Sequence, residues 1–557
     1  MEFSQIATLL VVAGVFGLIA RLLKQPLLVG YLFAGLFLGL TGLITDVEAF
    51  SGLAQIGVAL LLFHLGLEMN IRELPAIGKV ALFTGIGQIV FTSLIGFLIA
   101  SALGFDFLPS IYIAIALTFS STIIMVKLLS EKKDLASLYG KIAVGFLLVQ
   151  DFVAVVILMF LAGLGRGGRA PVEYILIAIK ALILFGLVWT LSKKILPNIF
   201  EKLVAHSTEL LFIVSIAWAL GVASFVAGPL GFSLEIGGFL AGLALSNMPE
   251  HLQIAARTRP LRDFFLTIFF LLLGTQLVVP GGILPILPAG IIFSLFVLIG
   301  NPIIVLVIMG FLGYRKRTSF LAGLTVAQIS EFSFILMALG LGLGHVGQNH
   351  VALVIIVGVF TMTVSTYLIL GADKIYLKIK KYLSIFERER TRESAYIKPK
   401  NLSGHIVLVG SHRSGRTVAA YLQRKNTDFL VVDFNPKVFE QLTAAKIPVV
   451  FGDINDTEIM EAASLDRART VISTISNFTD NLTLLEYLAE IRPKPVSVFT
   501  AQTRNEAVKL YEHGATYVVV PEIVAGDYIR HIFEIPGMGK TRLRKMGKSH
   551  FNRLLFK

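Results

Sequence analysis

Asp151 lies within Ile142 to Leu161, a run of about twenty otherwise apolar residues in which Gln150 is its polar neighbour. A carboxylate kept in lipid is costly, and it marks an ion pathway or a proton relay by default. Desolvation disfavours the bare anion, so a proton or a cation must neutralise it, which is the elementary chemistry of an exchange site. The bland alternative is an inert carboxyl paired with Gln150. Two more polar runs interrupt apolar sequence: Leu117-Thr118-Phe119-Ser120-Ser121-Thr122, and Ala327-Gln328-Ile329-Ser330-Glu331-Phe332-Ser333. Ser and Thr in membrane helices often bond only their own backbone. Paired breaks at matching places in two halves point instead to inverted repeats, with a site where the broken helices meet.

The elements that must position these residues are membrane helices. Hydrophobic residues make up 55% and charged residues 15% of 557, with mean hydropathy +0.80, far above a soluble domain. About thirteen runs reach bilayer length, at roughly 4–22, 27–44, 53–68, 80–103, 109–129, 137–163, 174–192, 208–226, 231–246, 263–279, 286–312, 318–342 and 350–373. Spans one to six and eight to thirteen are the expected repeats. Alternate loops are basic: Arg21 and Lys24; Arg72 and Lys79; Lys127, Lys132 and Lys133; Lys193, Lys194 and Lys202; Arg257, Arg259 and Arg262; Arg315, Lys316 and Arg317. The intervening loops hold little beyond Arg166 and Arg169, so the N-terminus is expected outside and the C-terminal part in the cytoplasm. The first span carries no cleavage-site pattern and reads as a retained helix of a multi-pass plasma (inner) membrane protein. The net charge of +13 reports this topology, and nucleic acid is not an expected partner. Without cysteine the chain can form no disulfide, zinc-thiolate site or iron–sulfur cluster.

Several of these residues together carry a family resemblance. Arg21 to Gly35 with its Gln25-Pro26, Gln55 to Phe63, Gln150-Asp151, and Arg262-Asp263-Phe264-Phe265 followed by Phe269-Phe270 resemble the monovalent cation/proton antiporters of the second major branch, and most closely the Kef-type potassium-efflux group. The resemblance implies a homodimer in which a core bundle moves against a scaffold, with ion and proton competing for Asp151 where the broken helices cross. Thr118, Ser120, Ser121 and Thr122 offer hydroxyl or freed carbonyl oxygens to an alkali ion, Gln328, Ser330 and Glu331 face them from the second break, and half-helix ends add dipoles. No metal is expected beyond the transported alkali cation. Sodium-type relatives usually carry two adjacent aspartates, whereas Gln150 precedes Asp151, the pattern of potassium-type members. Such relatives often place a lysine where this chain reads Gly300-Asn301-Pro302. One titrating acid without a partnering base implies one cation per proton, electroneutral, with K+ favoured over Na+. Glu331 serves either the helix dipoles or the site. Glu235 reads as structural, His64 and Glu68 as a packing pair at i and i+4, and Lys180 as a snorkelling side chain.

After Asn401 short β-rich runs alternate with amphipathic helices: Ile406 to Val409, Phe429 to Asp433, Val449 to Phe451, Thr470 to Ser473, Val496 to Thr500 and Tyr517 to Val520. The alternation predicts a parallel-sheet Rossmann-like domain. The first strand leads into Gly410-Ser411-His412-Arg413-Ser414-Gly415, and Asp433 ends the second strand, placed to accept ribose hydroxyls. With Gly452-Asp453 and Ser473-Thr474, the domain resembles the nucleotide-binding half (RCK N-terminal, TrkA-N) of modules that regulate potassium channels and transporters. His412 replaces the middle glycine, so AMP or ATP rivals NAD(H) as the ligand. No hydride-transfer site is evident, and the nucleotide is expected to regulate; no enzymatic activity is expected. Glutathione-gated relatives resemble one another in an acidic loop before the tenth span, whereas the loop His251 to Arg259 is basic here.

The expected architecture is thus a polytopic α-helical membrane protein with two crossed broken helices, joined to a C-terminal α/β Rossmann-like domain. Its boundaries fall at 1–380 for the membrane part, 381–403 for a linker, 404–525 for the nucleotide domain and 526–557 for a basic tail. Two other function classes remain open, a nucleotide-gated cation channel and a non-transporting membrane sensor. The string nearest to a potassium filter, Val29-Gly30-Tyr31-Leu32, lacks the final glycine and falls in a helix.

Overall fold

The computed structural model describes residues 3–44, 50–68, 74–132, 134–135, 137–164, 184, 186, 188, 190–196, 207–229, 232–279, 282–387, 402–411, 413–455, 457–475, 477–535 and 539–555. The chain divides into two compact units, Met1–Leu135 with Tyr139–Glu387, and Ala136–Leu138 with Arg388–Lys557.

The first unit is all helix, the state that lets an apolar chain satisfy its own backbone in lipid. Its helices are α1 (Phe3–Leu22), α2 (Leu27–Thr41), α3 (Ser51–Glu68), α4 (Leu74–Ala102), α5 (Phe107–Ala116), α6 (Thr122–Glu131), α7 (Leu138–Leu164), α8 (Thr208–Ala227), α9 (Leu234–Leu245), α10 (His251–Thr275), α11 (Leu287–Leu295), α12 (Asn301–Phe311), α13 (Lys316–Leu324), α14 (Glu331–Gly342), α15 (Gln348–Leu370) and α16 (Ala372–Leu383). Among the described residues six helices have the length and apolarity to cross a bilayer by themselves, including Leu138–Leu158 and Leu284–Phe311. The two spans with polar runs are each split in half: α5 stops before Leu117 and α6 starts at Thr122, while α13 stops before Thr325 and α14 starts at Glu331. The span expected at 174–192 lies mostly outside the described residues, as do Lys180, His412 and residues 388–401.

Between α11 and α12 a π turn, Phe296–Gly300, interrupts the α-helical pattern. Pro302 has no N–H to return to the previous turn, and a wider turn just ahead of it absorbs the missing bond while placing Asn301 inward. Elsewhere close helix crossings need glycine. A Cβ on Gly35 of α2 would run into the Leu271 carbonyl oxygen of α10, and one on Gly274 into the Leu32 carbonyl oxygen. At the basic end, Asp373 of α16 binds Lys132 at 3.0 Å and Arg317 at 3.1 Å, tying the outer ends of both broken helices to α16. Burial works against that anion, yet the two cations hold Asp373 below the usual carboxylate range.

One boundary corrects the sequence reading. The stretch His251 to Arg259, expected as a loop, forms the first turns of α10, which runs from His251 through Pro260 to Thr275. Hydropathy registers only the apolar part of that helix, because His251, Gln253, Arg257 and Arg259 make its opening turns polar.

The second unit holds a six-stranded parallel sheet in the order β3-β2-β1-β4-β5-β6. Its strands are β1 (Ile406–Val409), β2 (Phe429–Asp433), β3 (Val449–Phe451), β4 (Thr470–Ser473), β5 (Val496–Thr500) and β6 (Tyr517–Val519). Helices α17 (Arg413–Arg424), α18 (Pro436–Ala444), α19 (Thr457–Ala462), α20 (Phe478–Glu490) and α21 (Arg504–Glu512) connect them. Side chains alternate between two cores: Val407, Val409, Leu430 and Val432 enter one, and Ile406, Leu408, Val431 and Val449 the other. Covering both faces is what a parallel sheet requires. The segment expected as a basic tail forms two helices, α22 (Pro521–Glu534), which opens on Pro521 in its first turn, and α23 (Lys540–Leu555).

Candidate functional site

The two breaks touch. Ser120 Oγ donates to the Val326 carbonyl at 3.4 Å, Gln328 Nε2 to the Ser121 carbonyl at 3.5 Å, and Ser333 Oγ to the Ala116 carbonyl at 2.6 Å. Each break therefore satisfies backbone groups that the other leaves open. Ser365 Oγ donates to Gln328 Oε1 at 2.8 Å from α15 and fixes that amide. Ser121 caps α6 by accepting from the Ile124 N–H, and Ser330 caps α14 by accepting from the Phe332 N–H, so both inner half-helices present their N-termini at the crossing.

Asp151 is buried on α7, and Thr122 Oγ1, in the first turn of α6, donates to its Oδ2 at 2.9 Å. The anion thus sits where a half-helix dipole favours it. Glu331 occupies the equivalent place on α14, with Ser330 Oγ at 3.4 Å. The hydroxyls divide by role. Thr118 Oγ1 returns to the Ile115 carbonyl at 2.7 Å and Ser120 bonds the opposite break, so those two serve backbone, while Thr122 serves the carboxylate.

A chain of amides runs behind Asp151, and two of its members, Gln88 and Thr92 of α4, were not singled out from the sequence. Gln150 Nε2 donates to Gln88 Oε1 at 2.6 Å; Gln88 Nε2 donates to the Thr118 carbonyl and to Thr92 Oγ1, each at 3.2 Å. Thr92 Oγ1 donates to Asn301 Oδ1 at 2.9 Å, and Asn301 Nδ2 closes the chain on the Leu117 carbonyl at 3.0 Å. The carbonyl acceptors set every amide's orientation. Because Gln150 must donate through Nε2, its buried Oε1 is left without a protein partner. That oxygen, one residue before Asp151 in the chain, is a buried acceptor still open to a donor or a cation.

A cavity of about 990 Å³ reaches this crossing at Ser121 and Glu331 and opens among Arg21, Lys24, Lys127 and Arg262. His64 is a satisfied packing residue. Its Nδ1 lies 2.9 Å from the Leu60 carbonyl, and its Nε2 lies 3.1 Å from the Ala255 carbonyl and 3.0 Å from Thr258 Oγ1. The Glu68 side chain lies outside the described residues. Glu235 falls in the first turn of α9, half-buried, after the Ser233 cap.

In the second unit the cleft lies at the switch point between β1 and β4, where nucleotides sit on such sheets. Gly410 has φ +81°, a value that favours glycine. Asp433 accepts from the Ser411 N–H at 2.7 Å and the Asn435 N–H at 2.8 Å, which orients its carboxylate at the cleft. Thr474 Oγ1 donates to the Gly410 carbonyl at 2.8 Å, Ser473 Oγ to Asn481 Oδ1 at 2.6 Å, and Asp453 accepts from the Asn455 N–H at 3.0 Å. Gly452 precedes that aspartate. Ser411 Oγ is buried without a partner at the cleft. Ser414 is exposed on the first turn of α17, whereas the side chains of His412 and Arg413 lie outside the described residues.

Gly415 packs α17 onto the loop: a Cβ there would run into the Gly410 carbonyl oxygen and lie 2.7 Å from Thr474 Oγ1. Gly415→Ala is expected to force loop and helix apart, cost about 1–3 kcal/mol, and weaken nucleotide binding by tenfold or more. Calorimetric titration of the full chain with AMP, ATP and NAD(H) measures it.

Broken helices crossing beside a buried carboxylate define an ion-coupled membrane carrier, and known proteins agree. Residues 6–370 match the sodium/hydrogen exchanger transmembrane family and residues 406–521 the TrkA-N domain. The chain belongs to the sodium/hydrogen exchanger family, within its Kef-type group of monovalent cation/proton antiporters. It is similar to the Escherichia coli (strain K12) protein named "Putative cation/proton antiporter YbaL", 28% identical over 550 residues covering 96% of this chain and 97% of that one. K(+) efflux antiporter 2, chloroplastic, of Arabidopsis thaliana is 26% identical over 506 residues, 88% of this chain and 42% of that protein. A solved TrkA-N domain of the Escherichia coli inner membrane protein ybaL matches with 23% identity and a TM-score of 0.23, covering 24% of this chain and 98% of that one.

Proposed function

We propose that this chain exchanges K+, with Na+ the alternative, for H+ one for one at Asp151, by alternating access across the plasma membrane. The observation that carries the reading is Asp151, buried in α7 and held by Thr122 at the N-terminus of α6, where the two helix breaks meet. A buried carboxylate suits a partly dehydrated alkali ion, and the same carboxylate takes the proton in its absence. Asn301 supports electroneutrality. It is buried, neutral and fully engaged with Thr92 and Leu117, so no cationic side chain stands there to trade charge with Asp151.

The basic loops support a cytoplasmic second unit and an external N-terminus. The second unit binds a regulatory nucleotide, AMP or ATP or else NAD(H), at Gly410, Ser411 and Asp433, and catalyses no reaction. Helix α22 buries no residue of its own and exposes Ile523, Tyr528, Ile529 and Phe533, which supports a homodimer. Purified chain in liposomes with an internal pH dye provides the test. Adding K+ or Na+ outside is expected to drive protons out at a rate that an imposed membrane potential leaves unchanged and that nucleotide alters. Unitary currents, or a rate that follows the potential, would overturn the electroneutral exchanger.

A further inference from the structure

We propose that the basic end of the membrane unit holds one anionic phospholipid, its headgroup in the cavity at Arg21, Lys24, Gln25 and Lys127 and an acyl chain along α1. The first observation is Gln25. Its side chain is 7% exposed, it lines the cavity, and neither its Nε2 nor its Oε1 has a hydrogen-bond partner. A buried amide left unpaired on both atoms is costly unless something enters to meet it. A phosphate or glycerol oxygen accepts from the Nε2, and a headgroup hydroxyl donates to the Oε1.

The second observation is charge. The other cations at this mouth are neutralised within the protein: Arg262 by Asp263 at 2.7 Å, and Lys132 by Asp134 at 3.3 Å and Asp373 at 3.0 Å. Among the described residues no carboxylate pairs with Arg21, Lys24 or Lys127, and all three line the same cavity. These three cations outnumber Glu131, the other carboxylate at this mouth, and attract an anion whose seating would lower the barrier to a passing cation.

The third observation is shape. A groove of about 430 Å³ continues from the cavity, sharing Arg21, Leu27, Tyr31 and Thr267 with it, and rises along α1 past Leu18, Gly14 and Leu10. These residues lie in the apolar span Ser4–Leu22, at the depth of acyl chains. Gly14 shapes the groove, since a Cβ built there meets nothing within 4 Å. A free phosphate gains nothing from an apolar groove, and a neutral lipid gains nothing from the cations. A phospholipid with an anionic headgroup uses both. The deep end of the cavity reaches Ser121 and Glu331, so a seated headgroup stands at the mouth of the path to the crossing.

Native mass spectrometry of the full chain, titrated in detergent with phosphatidylglycerol or phosphatidylcholine, tests this without reference to which ion is carried. One phosphatidylglycerol per chain is expected to be retained where phosphatidylcholine is lost. Arg21→Ala is expected to weaken retention about fivefold, the scale of one basic residue at an anionic membrane surface. Gly14→Leu is expected to weaken it comparably by filling the groove, and it leaves the packing intact because the new side chain enters open space. Gln25→Leu serves as the second headgroup variant. Equal binding of the two lipids, or wild-type phosphatidylglycerol binding by both Gly14→Leu and Arg21→Ala, would overturn the proposal. So would displacement of the lipid by inorganic phosphate alone, the mark of a free-anion site. A shift of Gly14→Leu from dimer to monomer with lipid binding unchanged would assign the groove to a second copy of the chain and overturn the lipid.

Discussion

Asp151→Asn is expected to reduce cation-driven proton flux by at least about 100-fold, to the level of empty liposomes, while the protein remains folded. The amide oxygen can still accept from Thr122 Oγ1, now 2.9 Å from the carboxylate, so the α6–α7 contact survives. What is lost is charge. A neutral amide binds no proton in this range, and it offers the cation a dipole where an anion stood. Two decades of rate correspond to about 2.7 kcal/mol, less than one close charge pair contributes at the low effective dielectric of a buried site. Glu331→Gln separates the two acids of the crossing. Glu331 sits in the first turn of α14 with Ser330 against it, where a carboxylate complements the helix dipole. Its amide variant is expected to keep exchange, with an altered apparent cation affinity. Flux that survives Asp151→Asn but disappears in Glu331→Gln would move the exchange site to the second break. Thermal unfolding of each variant, read beside the flux, shows whether a loss belongs to the site or to the fold.

The sequence made the strongly patterned parts legible. The first five strands of the sheet stand where the sequence expects them, because β1 to β3 are runs buried on both faces and β4 and β5 keep β-branched residues at their buried positions or ends. Both helix breaks were visible because each gathers several polar residues within a few positions of an apolar run, at matching places in the two halves. Their division of labour was not. Thr118 and Thr122 have the same chemistry and lie four residues apart, yet one bonds the Ile115 carbonyl behind it and the other bonds Asp151 on α7. That difference arises from where the helix stops, which composition does not encode. Gln88 and Thr92 were illegible for a related reason. Thr84, Gln88 and Thr92 fall at i, i+4 and i+8 and so mark one polar stripe on α4, but their partners on α7 and α12 do not follow from that spacing. The partnerless Gln150 oxygen and Gln25 amide follow from packing alone. The opening turns of α10 and the helices α22 and α23 failed for the opposite reason. Their polar or basic composition reads as loop or tail when apolar runs are the guide, and Pro260, Gly526 and Gly547 within them weaken the helix signal further.

The amide relay carries the second large effect. Asn301 is wholly buried, accepts from Thr92 Oγ1 and donates to the Leu117 carbonyl that the end of α5 exposes. Asn301→Leu keeps roughly the same volume and removes both bonds, leaving the Thr92 hydroxyl, which still accepts from Gln88, without an acceptor for its proton and the Leu117 carbonyl without a donor in a dry site. At about 1–3 kcal/mol for each orphaned group, the expected loss of stability is about 2–5 kcal/mol. Exchange is expected to fall with it, because Leu117 borders the break that presents Thr122 to Asp151. Adding Thr92→Val to Asn301→Leu removes the unsatisfied hydroxyl proton, while Gln88 Nε2 keeps its bond to the Thr118 carbonyl, and is expected to recover about 1 kcal/mol, so the double variant should be more stable than Asn301→Leu alone. A structural leucine clash predicts the reverse, with the two costs adding. Denaturation midpoints of the wild type, both single variants and the double variant form the cycle that decides between them. If stability recovers but exchange does not, Asn301 positions the α5 carbonyl for the ion; if both recover, it acts only by holding the break closed.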